Sequence, residues 1–184
     1  KTGQVMRRVA ELAMRTNTHW ASLLTTLIIA GETGICYDGQ YFFDTDHVDP
    51  GAPNQTAQSN DLTFDISDNA TDGTATVPGV RTMELAILKS IEAILGFKDD
   101  QGEPMNENAK QFVVMVPTSF MAATLAATRN PVTTQGATNT LATQNLVTIT
   151  PVINPRLTWT NKFATFRTDG QVKPFIRQEE YGVK

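Results

Sequence analysis

Apolar positions along the chain fall into runs of different period, and the periods define the expected elements. Over residues 3–30, Val5, Val9, Leu12, Leu23, Leu24, Leu27 and Ile28 recur at three- and four-residue steps, with Trp20 on the same stripe. That is the spacing of an amphipathic helix, about 40 Å long at its usual rise per residue. Gly31 and Gly34 are its expected stops, since glycine accepts the left-handed conformation that ends helices. Thr16-Asn17-Thr18 breaks the apolar rhythm with weak helix formers and marks a place for a kink. A single stripe on so long a helix predicts a strut lying across a sheet.

The stretch ICYDGQYFFDTDH follows, at residues 35–47. Two strand-like arms, 35–37 and 40–43, flank Asp38-Gly39, a strong hairpin signal in which both central turn positions want positive φ. From 48 to 79 the chain turns to Asp, Asn, Thr, Gly, Pro and Gln and reads as a surface excursion holding one short alternating strand at 62–66. A second helix is expected at 82–95, with Thr82 as N-cap, Glu84 near the positive end of its dipole and Gly96 as stop. Its apolar positions are Met83, Ile87, Leu88, Ile91, Ile94 and Leu95.

Residues 112–116, FVVMV, are a continuous apolar run and predict a buried strand. Pro117 ends it, and Thr118 or Ser119 is expected to cap a short helix reaching about Ala127. Residues 129–145 form a Thr/Asn/Gln-rich loop with little to bury. Strands are expected at 146–153, 157–167 and 172–177, the first held to an edge or broken by Pro151 and Pro155. The order predicts an α+β fold with helices on one side of a sheet, and no internal repeat is visible.

Composition narrows the functional classes. The chain has 184 residues, one cysteine (Cys36), a formal charge of -4 and a pI near 5.1. An internal disulfide is excluded, a reducing compartment or indifference to redox state fits, and the acidic balance argues against a general nucleic-acid binder. No apolar run reaches the length of a membrane span. Lys1 opens directly into the helical pattern without an initiator methionine, as expected of a chain trimmed from a longer one.

Reactive side chains concentrate at 35–47, so metal binding and catalysis were weighed there. Asp44, Asp46 and His47 could feed a metal-dependent hydrolase. In an extended strand, however, Asp44 and Asp46 share one face and His47 takes the other. Asp65, Asp68 and Asp72 lack a calcium-loop pattern in the same way, and turn aspartates bonding their own backbone are the commoner explanation. Cys36 and His47 could pair only if the hairpin brought them together, and a cysteine between apolar residues is by default a small buried hydrophobe. His19, beside Trp20, reads as a helix-face residue. No nucleophile elbow, phosphate loop or paired-cysteine motif is present. The residues therefore predict no enzyme, no cofactor and no metal. A third reading is an adhesion module using the 49–79 excursion.

A glycine-ended long helix running into CYDG…FFDTDH resembles the major head (capsid) subunit of Mu-like tailed phages and prophages. FVVMVPTSF with the alanine-rich helix after it, and VINPRLTW with VKPFIRQEE, resemble that family's later elements. The resemblance implies the Hong Kong-type capsid fold, with a peripheral lobe of long spine helix and narrow β-sheet and an axial lobe of β-sheet with flanking helices. It places 1–48 in the peripheral lobe, 49–79 in a surface insertion and 80–184 mainly in the axial lobe. The family's N-terminal arm, extended loop and last returning strand are expected to be absent from this chain. The motif residues it marks as structural are Cys36, Tyr37, Asp38, Gly39, Phe42, Phe43, Asp44, Asp46 and His47. Tyr37 and Phe42 are expected beneath the helix, and the aspartates and histidine in hydrogen bonds within or between subunits. Thr133, Thr134, Gln135 and Asn139 are expected in an inter-subunit loop. The implied function is a structural subunit of an icosahedral bacteriophage head, self-assembling into capsomers and a shell. Its implied partners are copies of itself and other head proteins, with DNA enclosed without sequence readout and no membrane involved. The implied location is the virion, after assembly in the host cytoplasm.

Overall fold

A computed structural model of the chain describes residues 2–48, 51, 56–65, 74, 76–132 and 136–178. Thr133, Thr134 and Gln135, and likewise Ile66, Asp68 and Asp72, lie outside the described residues. In chain order the elements are α1 (Thr2–Ala30), α2 (Val80–Gly96), β1 (Gln111–Val116), a 3-10 turn (Thr118–Phe120), α3 (Met121–Arg129), α4 (Thr140–Thr143), β2 (Thr148–Ile153) and β3 (Ala164–Arg167). The architecture is α+β, and no described helix is long and apolar enough to cross a membrane.

The run 112–116 becomes the middle strand of a three-stranded sheet ordered β2-β1-β3, with β2 parallel and β3 antiparallel to it. Alternation splits its side chains between two cores. Phe112, Val114 and Val116 face α2 and α3, joining Met83, Ile87, Ile91, Ala123 and Ala127. Met115 faces the other way, joining Ala164, Phe166, Leu157 and Ile28 at the end of α1. Helices therefore cover both faces, not one as the element order suggests. The central strand is apolar on both sides because both sides are covered. Pro151 sits opposite Val114 on β2, which is an edge strand, as its missing N–H requires.

α1 runs unbroken through Thr16 and Thr18, whose hydroxyls donate back to Leu12 O and Arg15 O at 3.0 Å each. It does not lie across the sheet. Only its last turns dock, with Thr25 and Ile28 buried and Asn154 Nδ2 donating to Thr25 Oγ1 at 2.9 Å. Val5, Val9 and Leu12 are 61%, 58% and 66% exposed, so the apolar stripe of the first half has no cover among the described residues.

Several boundaries moved for local reasons. α2 begins at Val80, two residues before the expected cap, and Thr82 is buried in its first turn. Neither Thr118 nor Ser119 caps α3, which continues from the 3-10 turn. β2 starts at Thr148 because Gln144 Oε1 accepts from the amides of Leu146 and Val147 at 2.7 and 3.0 Å. Only Ala164–Arg167 of 157–167 is a strand, and 172–177 is none. Residues 62–65 are likewise not a strand.

The 129–145 loop buries more than its composition implies. Asn139 is fully buried; its Oδ1 caps α4 through Ala142 N at 3.2 Å, and its Nδ2 donates to Ala127 O at 2.8 Å. Expected at an inter-subunit contact, this side chain is instead committed within the chain, because it serves one helix end and the next helix start together. Glu84, expected to act on the helix dipole, is also fully buried, 2.8 Å from Arg81 and accepting from Thr140 N at 3.1 Å.

Candidate functional site

Glycines end α1 and let the next segment fold back on it. Gly34 N donates to Ala30 O at 2.7 Å, while Phe42 N and Phe43 N donate to Gly34 O and Gly31 O at 3.2 and 3.0 Å. A Cβ on Gly31 would stand 3.1 Å from the Phe43 ring, so the aromatic fits only because glycine is there.

Between these contacts the chain makes a tight turn. Cys36 N donates to Gln40 O at 2.7 Å and Gly39 N to Cys36 O at 3.1 Å. Gly39 has φ of 86°, and no described non-glycine residue has positive φ. The loop is thus the three-residue form with glycine at its left-handed last position, not the two-residue form with two positive φ values. One bridge, Ile35 with Tyr41, is all the strand pairing that results.

Each charged residue of the motif has its own structural task. Asp38 Oδ1 accepts from Gln40 N at 3.2 Å, and its Oδ2 lies 2.6 Å from His47 Nδ1. The His47 hydrogen bond holds the Asp38 carboxyl below the usual carboxylate range. Asp44 accepts from Thr45 N at 2.7 Å and Tyr41 N at 3.2 Å, and these amides lower its carboxyl likewise. Asp46 accepts from Gln40 Nε2 at 3.1 Å. Burial and the nearby Asp38 push the Cys36 thiol up, away from the reactive thiolate. Asp44, Asp46 and His47 thus answer to different partners. Among the described residues no group of three or more His, Cys, Asp or Glu side chains could hold a metal ion.

Two residues outside the motif clamp it. Asn60 accepts from Asp44 N at 2.8 Å and donates to Phe42 O at 2.7 Å. Gln58 exchanges backbone hydrogen bonds with His47 at 3.0 Å, and its side chain does the same with Lys98, at 2.7 and 2.8 Å. Neither was singled out from the sequence, because a lone amide in a polar stretch carries no periodic signal.

Aromatic rings connect the motif to the sheet. Phe42 and Phe43 meet edge to face at 4.9 Å; Phe43 reaches Trp159 at 6.3 Å, and Phe42 reaches Phe175 at 5.3 Å, which in turn meets Phe166 of β3 at 5.4 Å. Of the residues expected beneath the helix, Tyr37 is 90% exposed at the turn tip and Phe42 packs on Phe43 and Phe175, while it is the neighbouring Phe43 that packs with Ile28. A cavity of about 930 Å³ opens beside this relay, lined by Phe42, Phe43, Trp159, Phe166 and α2. Among its polar groups Ser90 meets Thr165, Lys89 donates to Thr63 O and Lys162 to Glu32.

Turn bonds and aromatic packing hold the motif against the end of α1 and the sheet. Residues 1–70, which carry α1 and the whole motif, match the family model of the Mu-like prophage major head subunit gpT. Over that range the chain is similar to a Mu-like major head subunit. Residues 71–184 lie outside the matched range. Comparison with curated proteins and with solved structures finds no match.

Proposed function

We propose that the chain is a shell subunit of an icosahedral phage head, joining copies of itself into capsomers and enclosing DNA without reading its sequence. The match of residues 1–70 to a major head subunit carries this reading. Engagement of the motif's polar groups in turns and clamps supports a building role over chemistry. In the Hong Kong-type arrangement the resemblance implies, 1–48 belong to the peripheral lobe, 49–79 to an insertion and 80–184 mainly to the axial lobe. Repeated contacts between unlike surfaces generate rings, and other head proteins, the virion location and assembly in host cytoplasm follow from the same role. The test is electron microscopy and sedimentation of the purified chain over a concentration series. Capsomers or shells are expected, and a strictly monomeric protein at every concentration overturns the proposal.

A further inference from the structure

Among the described residues nothing packs on the outer half of α1, where Val5, Val9 and Leu12 are exposed. Val5, Val9, Leu12, Trp20, Leu23 and Leu27 are between 37% and 66% exposed; Val9 and Leu12 repeat eleven residues on at Trp20 and Leu23, and the Arg177 guanidinium stacks 3.9 Å over the Trp20 ring. Eleven residues are close to three full turns, so the stripe runs almost straight along the axis. At about 100° per residue it lies opposite the face that buries Thr25 and Ile28. It therefore points away from the core, and its outer part, Val5, Val9 and Leu12, uncovered among the described residues, marks an interaction surface.

Charge decides what covers it. Residues 1–30 carry Lys1, Arg7, Arg8 and Arg15 against Glu11 alone, whereas the remaining chain has eleven basic and eighteen acidic residues. Two α1 helices laid stripe to stripe would gather like charges, which opposes pairing. The chain offers a complementary surface elsewhere. In the loop after α2, Asp100, Glu103 and Glu107 are exposed, and Met105 among them is 60% exposed. An acidic rim around an apolar side chain matches a basic rim beside an apolar stripe.

Resting on the self-assembly reading above, we infer that the outer half of α1 docks head to tail on the acidic loop 98–107 of a second copy. The contact joins unlike surfaces, so any open row of copies keeps one free helix and one free loop at its ends, and addition continues until a ring closes.

The test compares assembly of the wild-type chain with three variants by sedimentation and electron microscopy, with circular dichroism as the folding check. Val9→Glu/Leu12→Glu and Arg8→Glu/Arg15→Glu are each expected to weaken association at least about tenfold, since like charges across an interface cost several kcal/mol. Their fold should persist because all four side chains are exposed. Adding Glu103→Arg/Glu107→Arg to the Arg8→Glu/Arg15→Glu chain should restore assembly. Assembly indifferent to both helix variants, or no restoration by the charge swap, overturns the inference and leaves the self-assembly reading standing. Gain of duplex DNA or anionic vesicle binding through Arg8 and Arg15, with assembly unaffected by them, overturns it in favour of those partners. A wild type that never assembles overturns both.

Discussion

His47 Nδ1 stands 2.6 Å from Asp38 Oδ2, and the pair draws the strand after the turn back onto the turn itself. An ionised carboxylate only accepts, so Nδ1 donates, and Nε2 is buried with no hydrogen-bond partner among the described residues. His47→Ala should cost roughly 1–2 kcal/mol by stranding the Asp38 carboxylate. Denaturant titration measures that loss, and nitrogen-15 imidazole shifts should show the Nδ1–H tautomer in the wild type. An Nε2–H tautomer with no stability change in the variant would sink this assignment.

Asp169 supplies the clearest pH dependence. Its Oδ1 accepts from Arg167 Nε at 2.7 Å and its Oδ2 from Lys110 N at 2.7 Å, and these bonds lower its carboxyl to about 2. Because the folded value lies below the unfolded one of about 3.9, its contribution is complete above that pH. It is lost as pH falls towards about 2. Asp169→Asn should flatten the acid limb of the stability curve between roughly pH 4 and 2. Melts at stepped pH with an unchanged limb would contradict the linkage.

Gly31 and Gly39 should fail for different reasons when replaced by alanine. At Gly31 a Cβ meets the Phe43 ring and Ile28 O at 3.1 Å, so Phe43 must shift and a loss of about 1–3 kcal/mol is expected. At Gly39 nothing is near, and the cost is the left-handed backbone at φ 86°, about 1–2 kcal/mol. Near-ultraviolet dichroism should change for Gly31→Ala and stay as wild type for Gly39→Ala.

Asn139→Ala removes the cap of α4 and leaves the buried Ala127 O without its donor. A loss of about 2–4 kcal/mol is expected from the two effects together. Amide exchange should quicken at Ala142, whose N–H the side chain accepts at 3.2 Å, while β1 amides keep their order of protection. An Asn139→Ala chain as stable as wild type would return this residue to the surface role first expected of it.

Ile28→Ala and Leu12→Ala compare the two ends of α1. Ile28 is fully buried and should cost about 2–5 kcal/mol, whereas Leu12, 66% exposed, should stay within about 0.5 kcal/mol in the monomer. Equal losses measured in dilute protein would mean that α1 is covered along its whole length.

The motif was legible as a turn and not as a site. Asp38-Gly39 marked the reversal, yet the turn's form depended on which residue took positive φ, and only Gly39 does. The clamps at Asn60 and Gln58 went unseen because they act eleven or more residues away, through single residues in a polar stretch. Phe175 was expected in a strand; its ring contacts with Phe42 and Phe166 place it in the aromatic relay instead.

By itself the sequence determined α1, α2 and the apolar middle strand, since repeated spacing fixes which residues share a face whatever lies beyond. Periodicity does not say what covers a face. Only the tertiary structure decided that Ile28 is buried while Leu12 is bare, that helices flank the sheet on both sides, and that Asn139 and Glu84 lie inside. Those outcomes depend on hydrogen bonds and contacts between segments far apart in the chain, which no local pattern records.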